Sequence, residues 1–154
     1  MFKKFLMLLL SLFLAGCTTI STPNQEEEYP PKVSISNEEE YLDEDGTYTS
    51  KEDVALYLHL YDHLPDNFIT KKEAQKLGWQ GGGLDDYAYG KSIGGDRFGN
   101  YEEALPTDDQ YHECDIDTMH KKSRGAKRIV YSDDGDIYYT DDHYNTFTLL
   151  YEGD

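Results

Sequence analysis

The stretch SKEDVALYLHLYDHLPDNFITKKEAQKLGW, residues 50–79, decides the fold. Ser50-Lys51-Glu52-Asp53 has the form of a capping box, in which a hydroxyl and a carboxylate three residues apart satisfy N–H groups that a helix start leaves unpaired. Val54, Tyr57, Leu58 and Tyr61 follow at helical spacing and predict a helix to about Asp62, which Leu64-Pro65-Asp66 ends. Thr70-Lys71-Lys72-Glu73 is a second and cleaner capping box. It opens a short helix that Gly78 terminates, with Trp79 returning to the core. Gly81-Gly82-Gly83 then leads to a brief helix expected at 84–88.

After Gly90 the pattern changes from helix to strand. Tyr111, Glu113 and Asp115 alternate with His112, Cys114 and Ile116, so Glu113 faces away from the apolar side of its strand. Arg128–Tyr131 and Ile137–Thr140 read as two strands joined by the turn Asp133-Asp134-Gly135-Asp136. Phe147-Thr148-Leu149-Leu150-Tyr151 reads as a last strand. Helices first and antiparallel strands after give an α+β fold, with the N-terminal helices packed on one face of a C-terminal sheet.

Four local runs carry polar residues in a telling order: LPDNFITKKEAQKLGW (64–79), GKSIGGDRFGN (90–100), YHECDID (111–117) and DDHYNTFT (141–148). Together they resemble the barnase/binase-type family of secreted, guanyl-preferring microbial ribonucleases, over residues 51–150 in unbroken order. The resemblance implies the microbial ribonuclease fold, with the helix-free sheet face as an RNA groove. Carried over by position, it implies Glu113 as general base, His143 as general acid, and Lys71, Arg124 and Arg128 as phosphate-binding cations. Tyr144 matches an aromatic that flanks the bound nucleotide. Asn100, Tyr101 and Glu102 fall in the loop that reads guanine, where Asn100 shapes the loop and the Glu102 carboxylate accepts from the base. The implied reaction is attack of the RNA 2′-hydroxyl on its own phosphate, giving a 2′,3′-cyclic phosphate that is then hydrolysed. Such chemistry needs a base, an acid and cations, and no metal or cofactor is expected.

Taken alone, each of these residues also has a plainer reading. A strand Glu is commonly a solvated face residue, and Arg128 has Asp115 within reach as a structural partner. Lys71 is more informative, because a cation in the first turn of a helix opposes the dipole and calls for an anion nearby. Two positions depart from the family: Tyr101 stands where it carries Arg, and Ala104 where it carries Lys. Both losses weaken the expected grip on RNA and on a barstar-like inhibitor. The segment from Ile116 to Arg124 is also one residue longer than the family's, and Ser123 replaces its Phe.

The chain has 14 Lys and Arg against 31 Asp and Glu, a formal net charge of −17. Residues 51–154 alone carry 11 cations and 22 carboxylates. That balance disfavours long-range steering of a polyanion. Five of the 11 cations, however, are Lys121, Lys122, Arg124, Lys127 and Arg128, which predicts a basic cleft on an acidic body. Asp133-Asp134-Gly135-Asp136 lacks the further ligands of a calcium loop, and the five histidines and Cys114 show no zinc spacing.

Residues 1–16 read as a signal peptide, with Lys3 and Lys4 before an apolar run. The run ends in Leu14-Ala15-Gly16-Cys17, which looks like a lipobox and marks Cys17 for lipidation. Residues 17–50, with two Glu triplets and three prolines, read as an acidic disordered linker, and 51–154 as the ribonuclease domain. The expectation is an exported, extracellular monomer tethered to the membrane by lipid on Cys17, acting on RNA. With Cys17 lipidated only Cys114 remains, so the domain must hold by its core rather than by a disulfide. The alternative is a non-catalytic, surface-tethered binding module that kept the fold.

Overall fold

A computed structural model describes residues 41–154. The signal segment 1–16, Cys17 and residues 18–40 lie outside the described residues. The elements are α1 (Lys51–Tyr61), β1 (Phe68–Ile69), α2 (Lys71–Lys76), β2 (Ser92–Phe98), β3 (Tyr111–Asp115), β4 (Arg128–Ser132), β5 (Ile137–Thr140) and β6 (Thr148–Tyr151). The six strands form one sheet in sequence order. All neighbours are antiparallel except β1, which runs parallel to β2. The fold is the α+β arrangement the sequence predicts.

Both helices start as their caps dictate. Ser50 accepts from the Asp53 N–H, which is half a capping box, whereas Thr70 and Glu73 complete the reciprocal pair. Asp62 closes α1 in the left-handed region (φ 59°), donating its N–H to the Leu58 carbonyl. The brief helix expected at 84–88 is a single turn, closed by Tyr87 and Ala88 N–H groups on the Leu84 carbonyl. Gly90 follows at φ 73°, and one turn bounded by glycines has too few bonds to repay helix nucleation. Phe147 precedes the last strand, which begins at Thr148.

The sheet has a dry face and a working face. On the helix side Val54, Ala55 and Leu58 of α1 pack against Cys114, Ile116, Ile129 and Ile137, all at most 4% exposed. Burial pushes the Cys114 thiol up, so it serves as a small core residue. On the opposite face Leu105, Tyr111 and Val130 form a second cluster, edged by Phe98, Tyr138, Tyr144 and Phe147. Glu113 and Asp115 share this second face with Tyr111, as the alternation along β3 requires.

Of the linker expected over residues 17–50, only residues 41–50 are described, and they are packed rather than extended. Residues 41–50 lie along α1: Tyr57 and Tyr61 donate their hydroxyls to the Glu44 and Leu42 carbonyls. Tyr48 exchanges hydrogen bonds with Asn67 through both backbone groups. Tyrosines of the helix capture the segment's carbonyls, and Glu44 adds a contact to His63, Oε1 to Nε2 at 3.5 Å.

Candidate active site

The GGD run sets the site's geometry. A register shift falls between Gly94 and Asp96, so Gly94 opposes Cys114 and Asp96 opposes Glu113. A β-bulge adds one residue and thereby moves the next side chain to the other sheet face. Gly95 occupies it at φ 95°, which glycine adopts without strain. A Cβ on Gly94 would lie 2.7 Å from Cys114 Cβ and Phe68 Cδ1, so its neighbour also demands glycine. The bulge thus delivers Asp96 to the face that carries Glu113.

Lys71, the first residue of α2, is held at both ends by that face. Its N–H donates to Asp96 Oδ2 at 2.9 Å, and its Nζ donates to Glu113 Oε1 at 2.8 Å. The anion that a cation at a helix start calls for is the protein's own. The second Glu113 oxygen accepts the Tyr144 hydroxyl at 2.6 Å. Burial first, and the Glu113 carboxylate second, raise the Tyr144 phenol above its ordinary value, so it remains a donor. Glu113 is 8% exposed, a buried carboxylate with an ammonium on one oxygen and a phenol on the other.

One strand step away, Asp115 is 1% exposed and anchors both arginines. Arg124 grips it with two parallel bonds, Nε to Oδ2 at 2.7 Å and an Nη2 to Oδ1 at 2.8 Å. That carboxylate raises the Arg124 guanidinium above its ordinary value. Arg128, 3% exposed, places Nε 3.0 Å from Asp115 Oδ1 in an ion contact that misses hydrogen-bond geometry. Its other nitrogens donate to the Arg124, Gly125 and Lys127 carbonyls. Arg128 therefore shapes the loop, while Arg124 keeps three of its five N–H donors uncommitted. Lys127 pairs with Asp117, so the basic cleft predicted from five cations is partly neutralised from within.

His143 sits exposed on the β5–β6 loop with its N–H on the Ala126 carbonyl. It and Tyr144 both lie in the left-handed region, at φ 55° and 71°. Such residues cost about 1–3 kcal/mol each and persist where surroundings fix them. Asp142 does so by accepting from the Thr140 hydroxyl and from the Thr146 N–H and hydroxyl. These bonds, Thr146's first, push the Asp142 carboxyl down to about 2. The His143 and Tyr144 rings lie 4.8 Å apart. Tyr144 thus links the histidine to Glu113, and Arg128 Cζ stands 6.0 Å from its ring.

Lys71, Glu113, Tyr144, His143, Arg124 and Arg128 thus gather around the two carboxylates of β3. Asn100, Tyr101 and Glu102 lie apart, in the loop after β2. Asn100 at φ 47° holds that loop, accepting from Leu105 N–H and donating to the Leu105 and Pro106 carbonyls. The loop borders a cleft of about 340 Å³, with Tyr101 and Glu103 among its walls. Tyr101 is 94% exposed, and Glu102 is exposed without lining the cleft. Phe98, stacked 5.2 Å from Tyr144, joins the loop to the groove. Two residues of the site were not singled out as functional from the sequence, Asp96 and Asp115. The alternation Tyr111-Glu113-Asp115 placed Asp115 beside Glu113, whereas nothing short of the bulge reveals Asp96.

Residues 51–151 match the family described as ribonuclease. A ribonuclease of Bacillus intermedius is 50% identical over 101 residues, 63% of this chain and 62% of that protein. One of Heyndrickxia coagulans is 49% identical over 101 residues, 63% of this chain and 92% of that protein. The guanyl-specific ribonuclease St of Saccharopolyspora erythraea is 43% identical over 54 residues, 34% of this chain and 54% of that protein. The match spans about 62% of the length of the Bacillus relatives. A family match over residues 51–151, which hold both helices and all six strands, settles the kinship: this chain belongs to the ribonuclease family.

Proposed function

We propose that this protein is an endoribonuclease that cleaves single-stranded RNA after guanosine without needing a metal. One observation carries the reading: Glu113 is a buried carboxylate with Lys71 at 2.8 Å, Tyr144 at 2.6 Å and two arginines on the neighbouring Asp115. In the first step Glu113 takes the proton of the guanosine 2′-hydroxyl, and the 2′-oxygen bonds to phosphorus. The bond from phosphorus to the 5′-oxygen breaks, and His143 gives that oxygen its proton. In the second step the roles exchange: His143 takes a proton from water as the water oxygen bonds to phosphorus, the bond from phosphorus to the 2′-oxygen breaks, and Glu113 returns a proton to that oxygen, leaving a 3′-phosphate. Lys71 and the free donors of Arg124 meet the extra negative charge of the pentacoordinate phosphorus, which favours the transition state over the ground state.

Guanine preference is supported by the Asn100-braced loop and by the guanyl-specific name of the St relative. An exported, lipid-tethered location follows from the Cys17 reading alone. The test compares GpA, ApA, CpA and UpA under one condition. Guanosine 2′,3′-cyclic phosphate from GpA only, lost in His143→Ala, is the expected result. No cyclic phosphate from any dinucleotide contradicts the reading and favours a binding module.

A further inference from the structure

Along β3 the groove has two ends. Tyr111 pairs with Phe98 beside the Asn100 loop, and Asp115 pairs with Arg128 beside the loop that follows β3. With guanine at the first end and Glu113 between them, RNA 3′ of the scissile bond leaves over the second end. The surface it meets belongs to the loop between β3 and β4. Lys121 and Lys122 are exposed, and among the described residues neither side chain has a carboxylate partner. Of the five cations in the run 121–128, the other three, Arg124, Lys127 and Arg128, are in ion pairs.

Next to these lysines stands an aromatic pair that the proposed chemistry does not use. Tyr89 is 78% exposed, and its ring centroid lies 4.8 Å from that of His120. His120 is held by Asp85, Nδ1 to Oδ2 at 2.9 Å, and Asp85 also accepts the Gly90 N–H. The two loops are stitched by Gly83 N–H on the Lys122 carbonyl at 2.9 Å. Lys121 lines a small crevice together with Asp115 and Arg124, which ties this loop to the carboxylate that anchors both arginines.

We infer that Tyr89, His120, Lys121 and Lys122 form a subsite for RNA downstream of the cleaved bond. The lysines take phosphates, and the Tyr89–His120 platform takes a base by stacking. Unpaired ammonium groups beside an exposed ring suit single-stranded nucleic acid, because every base has a π-face and every linkage a charge. The extra residue between Ile116 and Arg124 lies in this loop. The subsite also supplies grip that Tyr101 and Ala104 withhold elsewhere. It rests on the ribonuclease reading above.

The test uses the full chain, with Lys121→Ala/Lys122→Ala and, separately, Tyr89→Ala. Substrates are GpA, and oligonucleotides with one guanosine extended by four adenosines on either the 3′ or the 5′ side. Each variant is expected to keep kcat/KM for GpA within about twofold and to lose about tenfold on the 3′-extended substrate. The double variant's dependence of log kcat/KM on log salt should flatten by about 1.4, for two phosphate contacts on a single strand. Lys121→Arg/Lys122→Arg should restore both. Equal losses on GpA, equal losses on the 5′-extended substrate, or no loss on either would overturn the subsite. If wild type cleaves nothing, fluorescence anisotropy of labelled oligoadenosine still decides. Weaker binding by the variants then keeps the subsite while the enzyme reading falls, and unchanged binding sinks both.

Discussion

Glu113 and Asp115 stand two residues apart on one face of one strand, both buried, and the protein surrounds them in opposite ways. Asp115 meets two guanidiniums, which do not lose their protons, and one of them grips it bidentately. Glu113 meets a single ammonium, on a Lys71 side chain that is 38% exposed, and a phenol. The first arrangement fixes a charge and a loop. The second leaves a carboxylate positioned and able to exchange a proton with a bound hydroxyl. Burial alone does not mark a reactive carboxylate; the number and kind of its partners do.

The largest way to break that contrast is Asp115→Asn. It leaves Arg128, 3% exposed, without its counter-charge, and removing one partner of a buried pair costs about 3–5 kcal/mol. Urea unfolding should show that loss, and a change under about 1 kcal/mol would mean that the pair is not structural. Tyr144→Phe acts on the other carboxylate and should cost less. It strips Glu113 Oε2 of its donor, with an expected loss of about 1–2 kcal/mol and a fall in turnover of less than about tenfold. A loss as large as that of Asp115→Asn would erase the distinction drawn here.

The smallest effect concerns the loop that presents His143. Asp142 has a folded-state value of about 2, against an ordinary 3.8. A depressed carboxyl stabilises the fold fully above its unfolded value and loses that contribution as pH falls through the folded one. Asp142→Asn should therefore lower the melting temperature at pH 5, with the gap to wild type closing as pH falls from about 4 to 2. A constant gap would show that Asp142 acts by shape rather than by charge.

Much of this comparison was legible in the sequence. Thr70 with Glu73 announced α2, and the alternation through His112–Ile116 put Glu113 on the face opposite Cys114. The resemblance named the residues that the groove then gathered. Three things were hidden because they depend on partners far along the chain. The two-residue β1 has no periodicity and exists through its parallel pairing with Ser92 and Ile93. Residues 41–50 read as charged spacer, because the groups that hold them are tyrosines of α1. The Gly94-Gly95 run carries no sign in sequence of the bulge that aims Asp96 at Lys71.

The central claim is that Glu113, and not its better-paired neighbour, moves the proton. The most direct test is the rate of cyclic phosphate release from GpA by Glu113→Gln, an isosteric change that keeps a side chain between Lys71 and Tyr144. A general base is worth about 10²–10⁴-fold, so the rate should fall by at least about 100-fold while the melting temperature stays near that of wild type. A folded Glu113→Gln protein that cleaves GpA within a few-fold of the wild-type rate would contradict the account.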